Sequence, residues 1–395
     1  MNNLIQFNDF YSPEIIRFGK DALYSLDDEF QDNKIRKIFI VSDIGVKKAG
    51  ITQKLIDIIE KHQISYEVSS DLFGEPTQED VISNVNKGNE FDADLVIGIG
   101  GGASLDVAKA TAALMNKGNI EDYLNGKEAI EERTVKSILI PTTSGTGAEV
   151  TRNAIFENKS EQLKVGIVST YLLPDIAIID PHLTITCPAK VTASSGVDAF
   201  THAFESFISV KSTPLTKIYS EKSMEIFPNA IKQAVHHKHN ICAREDMAWV
   251  SLLGGVSLAN AGVGVVHAMA YPLGGRYHIE HGVANALLLP YVIKNIGHAI
   301  ENELVIVANL LQLGDYKMKK YEVVDAVSNY LYKLLQELNL PTNLKDLNVS
   351  EEDLSHLASQ AINVKRLIDN TPYDLTEEML LEIYNQAFVG GFQNE

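Results

Sequence analysis

The chain has 395 residues, 45% of them apolar and 22% charged, with a formal net charge of −18. That balance supports a large buried core and excludes a disordered chain, and the length points to two domains. Acidic residues are spread along the whole sequence, so nucleic acid and anionic membrane are repelled and excluded as main partners, and the two cysteines, Cys187 and Cys242, leave neither a disulfide framework nor a cysteine zinc site.

The N-terminal stretch MNNLIQFNDFYSPEIIRFGK has no basic segment followed by an apolar one, so it does not read as a secretory signal. With so few cysteines, a reducing cytoplasmic location is expected. β-rich runs then alternate with amphipathic stretches: KIFIVSD at 37–43, ISYEVSS at 64–70, DLVIGIG at 94–100 and SILIPTT at 137–143. This is the pattern of a parallel sheet flanked by helices. KVGIVS and DIAIID add a further β-rich pair that ends at Pro181.

From about Pro188 onward helical periodicity replaces it, as in TASSGVDAFTHAFESFIS and IYSEKSMEIFPNAIKQAV. The predicted organisation is an α/β domain over 1–186 and an all-α domain over 187–395, with a cleft between them as the natural place for a site. The uncharged run from Met247 to Val266 is long enough to cross a bilayer, but Gly254, Gly255, Gly262 and Gly264 interrupt it and no basic flank marks an inside end. It is expected to be a buried helix, closed by His267.

Residues 94–109, DLVIGIGGGASLDVAK, carry an apolar strand into three consecutive glycines and then a helical pattern with Ser104 and Asp106 in its first turn. Backbone N–H groups and the positive end of a helix suit a pyrophosphate there. Gly98, Gly100 and Ala103 match the G-x-G-x-x-G/A spacing, but strands precede the turn and the best acidic candidate, Asp43, lies upstream, so a different nucleotide-binding architecture is expected. A second polar turn, PTTSGTGAEVT from Pro141 to Thr151, follows the next strand and suits a ribose, phosphate or carboxamide.

In the helical half, Asp198 and His202 are spaced i, i+4 and share one helix face. His267 follows the apolar run, and His281 follows a glycine-containing turn in PLGGRYHIEHG. One carboxylate and three imidazoles make a divalent-metal site suited to iron or zinc. His236, His237 and His239 are read instead as a solvated surface group beside Lys232 and Lys238.

GGGASLDVAK, PTTSGTGAEVT, GVDAFTHAFE and VHAMAYPLGGRYHIEHGVANALLLP together resemble the iron-dependent (group III) alcohol dehydrogenase family in order and separation across nearly the whole chain. The resemblance implies a dehydroquinate-synthase-like fold, in which an α/β NAD-binding domain faces a helical metal domain. It assigns Asp198, His202, His267 and His281 to Fe2+, with Zn2+ as the other candidate ion, and Gly100, Gly101 and Gly102 to the pyrophosphate, with Asp106 in the same motif. Thr142, Thr143 and Thr151 would line the NAD site, and Lys164 stands at the family's basic position near the nicotinamide ribose. Ala103 replaces a frequent serine beside Ser104. Tyr271 replaces a frequent histidine, so the proton route is open, with His278 as a further candidate. The implied activity is hydride transfer between NAD(H) and a small alcohol or aldehyde, in a homo-oligomer. Two readings compete with it: a non-redox lyase that recycles NAD on the same scaffold, and a nucleotide-binding sensor.

Overall fold

A computed structural model describes residues 9–31, 34–158, 163–317 and 319–392. Residues 1–8 of the stretch read for a signal lie outside them. The strands are β1 (Ile15–Phe18), β2 (Lys37–Asp43), β3 (Ser65–Leu72), β4 (Leu95–Gly100), β5 (Lys136–Pro141), β6 (Asn153–Asn158), β7 (Leu163–Val168) and β8 (Ile176–Ile179). Six of these form one sheet in the order β1-β8-β5-β4-β2-β3, with every pairing parallel.

β4 is buried at all of its positions, because helices cover both faces of the sheet. Burial on both sides is why the run LVIGIG is continuously apolar rather than alternating. From β2 the chain moves outward to β3 and then returns to β4 on the other flank of β2. That reversal opens a crevice at the carboxyl ends of β2 and β4, where ligands of open α/β sheets bind. Asp43 ends β2 and Gly100 ends β4, so both flank the crevice.

Among the described residues no strand follows Ile179, and long helices at Ala189–Ile208, Pro214–His236, Ile241–Ala261, Val265–Tyr277 and His281–Ile296 share one large core. A separate apolar cluster joins Val150, Ala177 and Ile179 to Ala248, Leu252 and Val256, fastening the helical half to the sheet.

Three expectations are corrected. The KVGIVS run does not enter the parallel sheet; β7 pairs antiparallel with β6 in a separate two-stranded sheet. The apolar run from Met247 to Val266 is not one helix. It breaks between Ala261 and Val265 with a bend of 101°, and Gly262 takes a φ of +73°, open to few residues other than glycine. No single helix among the described residues is long and apolar enough to cross a membrane. His267 therefore lies in the first turns of the following helix, and PLGGRY continues that helix to Tyr277 instead of forming the turn.

Candidate active site

Asp198 and His202 lie one turn apart on the Ala189–Ile208 helix and are both buried. His267 comes from the Val265–Tyr277 helix and His281 is the first residue of the His281–Ile296 helix. One ligand atom from each of the four lies within 4.8 Å of all the others. Asp198 Oδ1 is 3.6 Å from His202 Nε2 and 3.8 Å from His267 Nε2.

The set fits a metal ion on two counts. His267 Nδ1 hydrogen-bonds Glu205 Oε2 at 2.6 Å, which turns Nε2 toward the cluster, and that buried Nε2 has no hydrogen-bond partner among the described residues. A carboxylate behind a ligating imidazole is the usual orienting device at metal centres. The charge states agree as well. Burial raises the Asp198 carboxyl, but the surrounding imidazoles outweigh it and the net shift is downward. Burial pushes His281 down to about 3, against the opposing pull of Asp198, so its imidazole is neutral. Asn285, one turn beyond His281, donates to Asp198 Oδ1 at 2.7 Å and approaches His281 Nε2 at 3.1 Å.

The cluster faces a cavity of about 850 Å³ between the two halves of the chain. Gly102, Ala103, Asp106, Thr151 and Lys164 line it from the sheet side, and His202, His267, Tyr271 and His281 from the helical side. At the glycine turn, Gly101 is the N-cap of the Gly102–Leu114 helix, with none of the three glycines at positive φ. A Cβ on Gly100 would strike Ser104 Oγ at 2.5 Å and one on Gly102 would strike Thr146 Cγ2 at 2.6 Å, so close packing of the turn, not backbone twist, demands these glycines.

The comparisons with known proteins agree with this geometry. Residues 13–181 match the model of "Iron-containing alcohol dehydrogenase", and residues 192–388 match "Fe-containing alcohol dehydrogenase family, C-terminal". The chain belongs to the iron-containing alcohol dehydrogenase family. It is 35% identical over 381 residues to long-chain-alcohol dehydrogenase 1 of Geobacillus thermodenitrificans, covering 96% of each chain. The solved structure of a 1,3-propanediol oxidoreductase superposes with a TM-score of 0.92 at 30% identity, covering 97% of this chain and 100% of that one. Sulfoacetaldehyde reductase from Bifidobacterium kashiwanohense, solved in complex with NAD+, superposes with a TM-score of 0.86 at 28% identity, covering 96% of this chain and 98% of that one.

In this dehydrogenase Asp43, Gly100, Gly101, Ser104, Thr142 and Thr143 do not line the cavity that holds the histidines. They pack on one another at the strand ends beside it. Asp43 Oδ1 accepts from Val46 N at 2.9 Å, its Oδ2 accepts from Ser104 Oγ at 3.1 Å, and Thr142 N donates to the Gly100 carbonyl at 2.9 Å. Asp106 reaches into the cavity but is tied to Lys109 at 2.8 Å and accepts from Ile155 N at 2.9 Å; Lys109 also meets Thr151 Oγ1 at 3.2 Å. Lys164 pairs with Glu75 at 3.1 Å, and Glu75 also accepts from His281 N at 3.2 Å. The basic position of the family is thus joined to the metal-facing helix through one carboxylate.

Tyr271 lies four residues after His267 on the same helix, buried, with its ring centroid 6.2 Å from that of His281. Burial raises its phenol, and the cation that opposes the rise is Arg366 rather than Lys164. His278 caps the helix end in a left-handed conformation and stands at the cavity rim with its side chain 75% exposed. His236, His237 and His239 are exposed, as expected of a solvated group. Sequence reasoning missed Glu205, Asn285 and Arg366. Glu205 and Asn285 carried a usable signal, since they lie three and four residues after His202 and His281 on the same helices.

Proposed function

We propose that the chain moves a hydride between NAD(H) and a small alcohol or aldehyde, with iron held by Asp198, His202, His267 and His281. The observation that carries this reading is the convergence of those four side chains, of which His202, His267 and His281 line a cavity whose opposite wall begins at the glycine turn. Iron held by these four residues would supply Lewis acidity toward the substrate oxygen. Glu205 fixes the tautomer of His267, while Asn285 orients Asp198 and His281. The Gly101 and Gly102 N–H groups, at the start of the Gly102–Leu114 helix, offer a pyrophosphate the positive end of that helix. Asp43, which ends β2 across the crevice, would accept from an adenosine ribose hydroxyl, and Thr142, Thr143 and Thr151 would contact the cofactor.

Tyr271, a protonated phenol, positions substrate or water beside His281, and the proton leaves through water at the rim where His278 stands. Residues 1–186 would carry the dinucleotide and residues 187–395 the metal. The net charge of −18 argues against nucleic acid and membrane as partners. A homo-oligomer is supported by Ile15 and Ile16, which are exposed on the edge strand β1. The unpaired Cys187 and Cys242 fit the cytoplasm. A screen of short alcohols, diols and hydroxy acids with iron-loaded protein tests the reading: net conversion of NAD to NADH supports it. Product formation with NAD unchanged would favour the lyase reading instead.

A further inference from the structure

Not all of the cations around the cavity are paired. Three of the four carboxylates that line it pair with a lysine: Glu75 meets Lys164 at 3.1 Å, Asp106 meets Lys109 at 2.8 Å and Glu280 meets Lys190 at 3.2 Å, while Glu157 has His278 at 3.7 Å. Arg152, Lys211 and Arg366 line the same cavity, and none of them forms an ion pair among the described residues. Arg152 stacks over the Tyr11 ring at 4.3 Å, which holds the guanidinium in place without neutralising it. In a chain of net charge −18, three cations without an ion-pair partner around one cavity are a local exception to the average charge of the protein.

Arg366 is the best placed of the three. It sits on the short Lys365–Ile368 helix, and its Nη2 lies 3.3 Å from where a Cβ on Gly166 would stand, so the bare glycine in β7 leaves room for the guanidinium. The Lys365–Ile368 helix packs against the Val265–Tyr277 helix, which brings the Arg366 guanidinium and Tyr271 to the same wall of the cavity. The Tyr271 ring in turn neighbours His281, so a single phenol spans the gap between the arginine and the metal-facing cluster. A phenol, with an ordinary pKa of about 10, is neutral at physiological pH and supplies Arg366 with no countercharge.

We propose that the substrate carries an anionic head group, carboxylate or sulfonate, on a short carbon chain, and that Arg366 holds this head while the reacting carbon faces Asp198, His202, His267 and His281. The proposal rests on the dehydrogenase reading above. A planar guanidinium matches either oxyanion with two parallel hydrogen bonds. Arg152 and Lys211 raise the local potential and draw the anion in.

The test uses iron-loaded, full-length enzyme and matched substrates: 4-oxobutanoate against butanal for the carboxylate, and sulfoacetaldehyde against propanal for the sulfonate. Steady-state NADH oxidation gives kcat and KM, and calorimetry gives the binding of 4-hydroxybutanoate and isethionate to the enzyme with NAD. At least one anionic substrate should exceed its neutral partner by about 100-fold in kcat/KM, mostly through KM, with an advantage that shrinks in added salt. The winning arm identifies the head group. Arg366→Met should lose most of that factor on the anion and far less on the neutral aldehyde, and Arg366→Lys should recover part of it. Equal or better turnover of the neutral aldehydes would overturn the proposal, as would equal losses on both classes in Arg366→Met. If no aldehyde of either class oxidises NADH, the dehydrogenase reading fails instead, and the calorimetric comparison of parent with Arg366→Met still decides the head-group assignment.

Discussion

Replacing Glu205 with Gln removes a single charge while keeping the shape of the side chain, and it isolates the group that orients a metal ligand without itself belonging to the ligand set. Glu205 is buried and accepts two short bonds, from Val266 N at 2.7 Å and from His267 Nδ1 at 2.6 Å. A carboxylate satisfies both donors. A carboxamide satisfies one with its oxygen and opposes the other with its own N–H, or it forces the proton of His267 onto Nε2 and closes the lone pair that faces the cluster. One unmatched buried donor costs roughly 1–3 kcal/mol of folding stability. Loss of a carboxylate behind a metal-bound histidine weakens metal affinity by about 10- to 100-fold, equivalent to roughly 1.4–2.7 kcal/mol. Chelator competition measures the iron affinity, and thermal melting of the metal-free protein measures the folding cost separately. Both should fall in Glu205→Gln. Unchanged iron affinity with a lowered melting temperature would mean that Glu205 serves only to cap the Val265–Tyr277 helix, and the orienting role would be wrong.

Asp43→Gly should narrow a preference for NAD over NADP, measured as the ratio of kcat/KM for the two cofactors; a parent enzyme that already uses both equally would remove this role from Asp43. Tyr271→Phe should keep turnover within about tenfold of the parent, the scale of one lost hydrogen bond, and a fall by orders of magnitude with metal and NAD still bound would make the phenol a required acid or base. Burial raises Glu149, at the junction of the two halves, to about 7. An acid raised by folding stabilises fully below its unfolded value near 4.5 and loses that contribution as pH rises toward 7, a span worth about 3 kcal/mol. Denaturant midpoints should therefore decline between these pH values in the parent and decline less in Glu149→Gln; parallel curves would refute the assignment.

How much was legible depended on whether the cause was local. KIFIVSD and DLVIGIG could be read as strands because burial on both faces forces a β-branched run, and β2 and β4 begin and end within a residue of those segments. β1 and β6 escaped notice. IIRF is a four-residue edge strand, and NAIFEN alternates buried and half-buried positions without an apolar alternation to match. Asp198 and His202 were legible from helical spacing alone. His267 was found, but its place was misjudged, because the break after Ala261 depends on Gly262 and on Asn370, whose side chain crowds the spot a Cβ there would need. Glu205 lies inside GVDAFTHAFE, but its role is not legible there because its partner lies 62 residues downstream and only packing brings them together. The same is true of Arg366, which reaches Tyr271 through the packing of the Lys365–Ile368 helix against the Val265–Tyr277 helix.

The most direct test of the central claim is metal content by elemental analysis in His267→Ala and His281→Ala, with NAD binding followed on the same samples by calorimetry. The four ligand atoms come from the helical half and the glycine turn from the sheet half, so the account predicts that each variant loses its iron and its turnover while NAD binding remains largely intact. Full iron occupancy in both variants would contradict it.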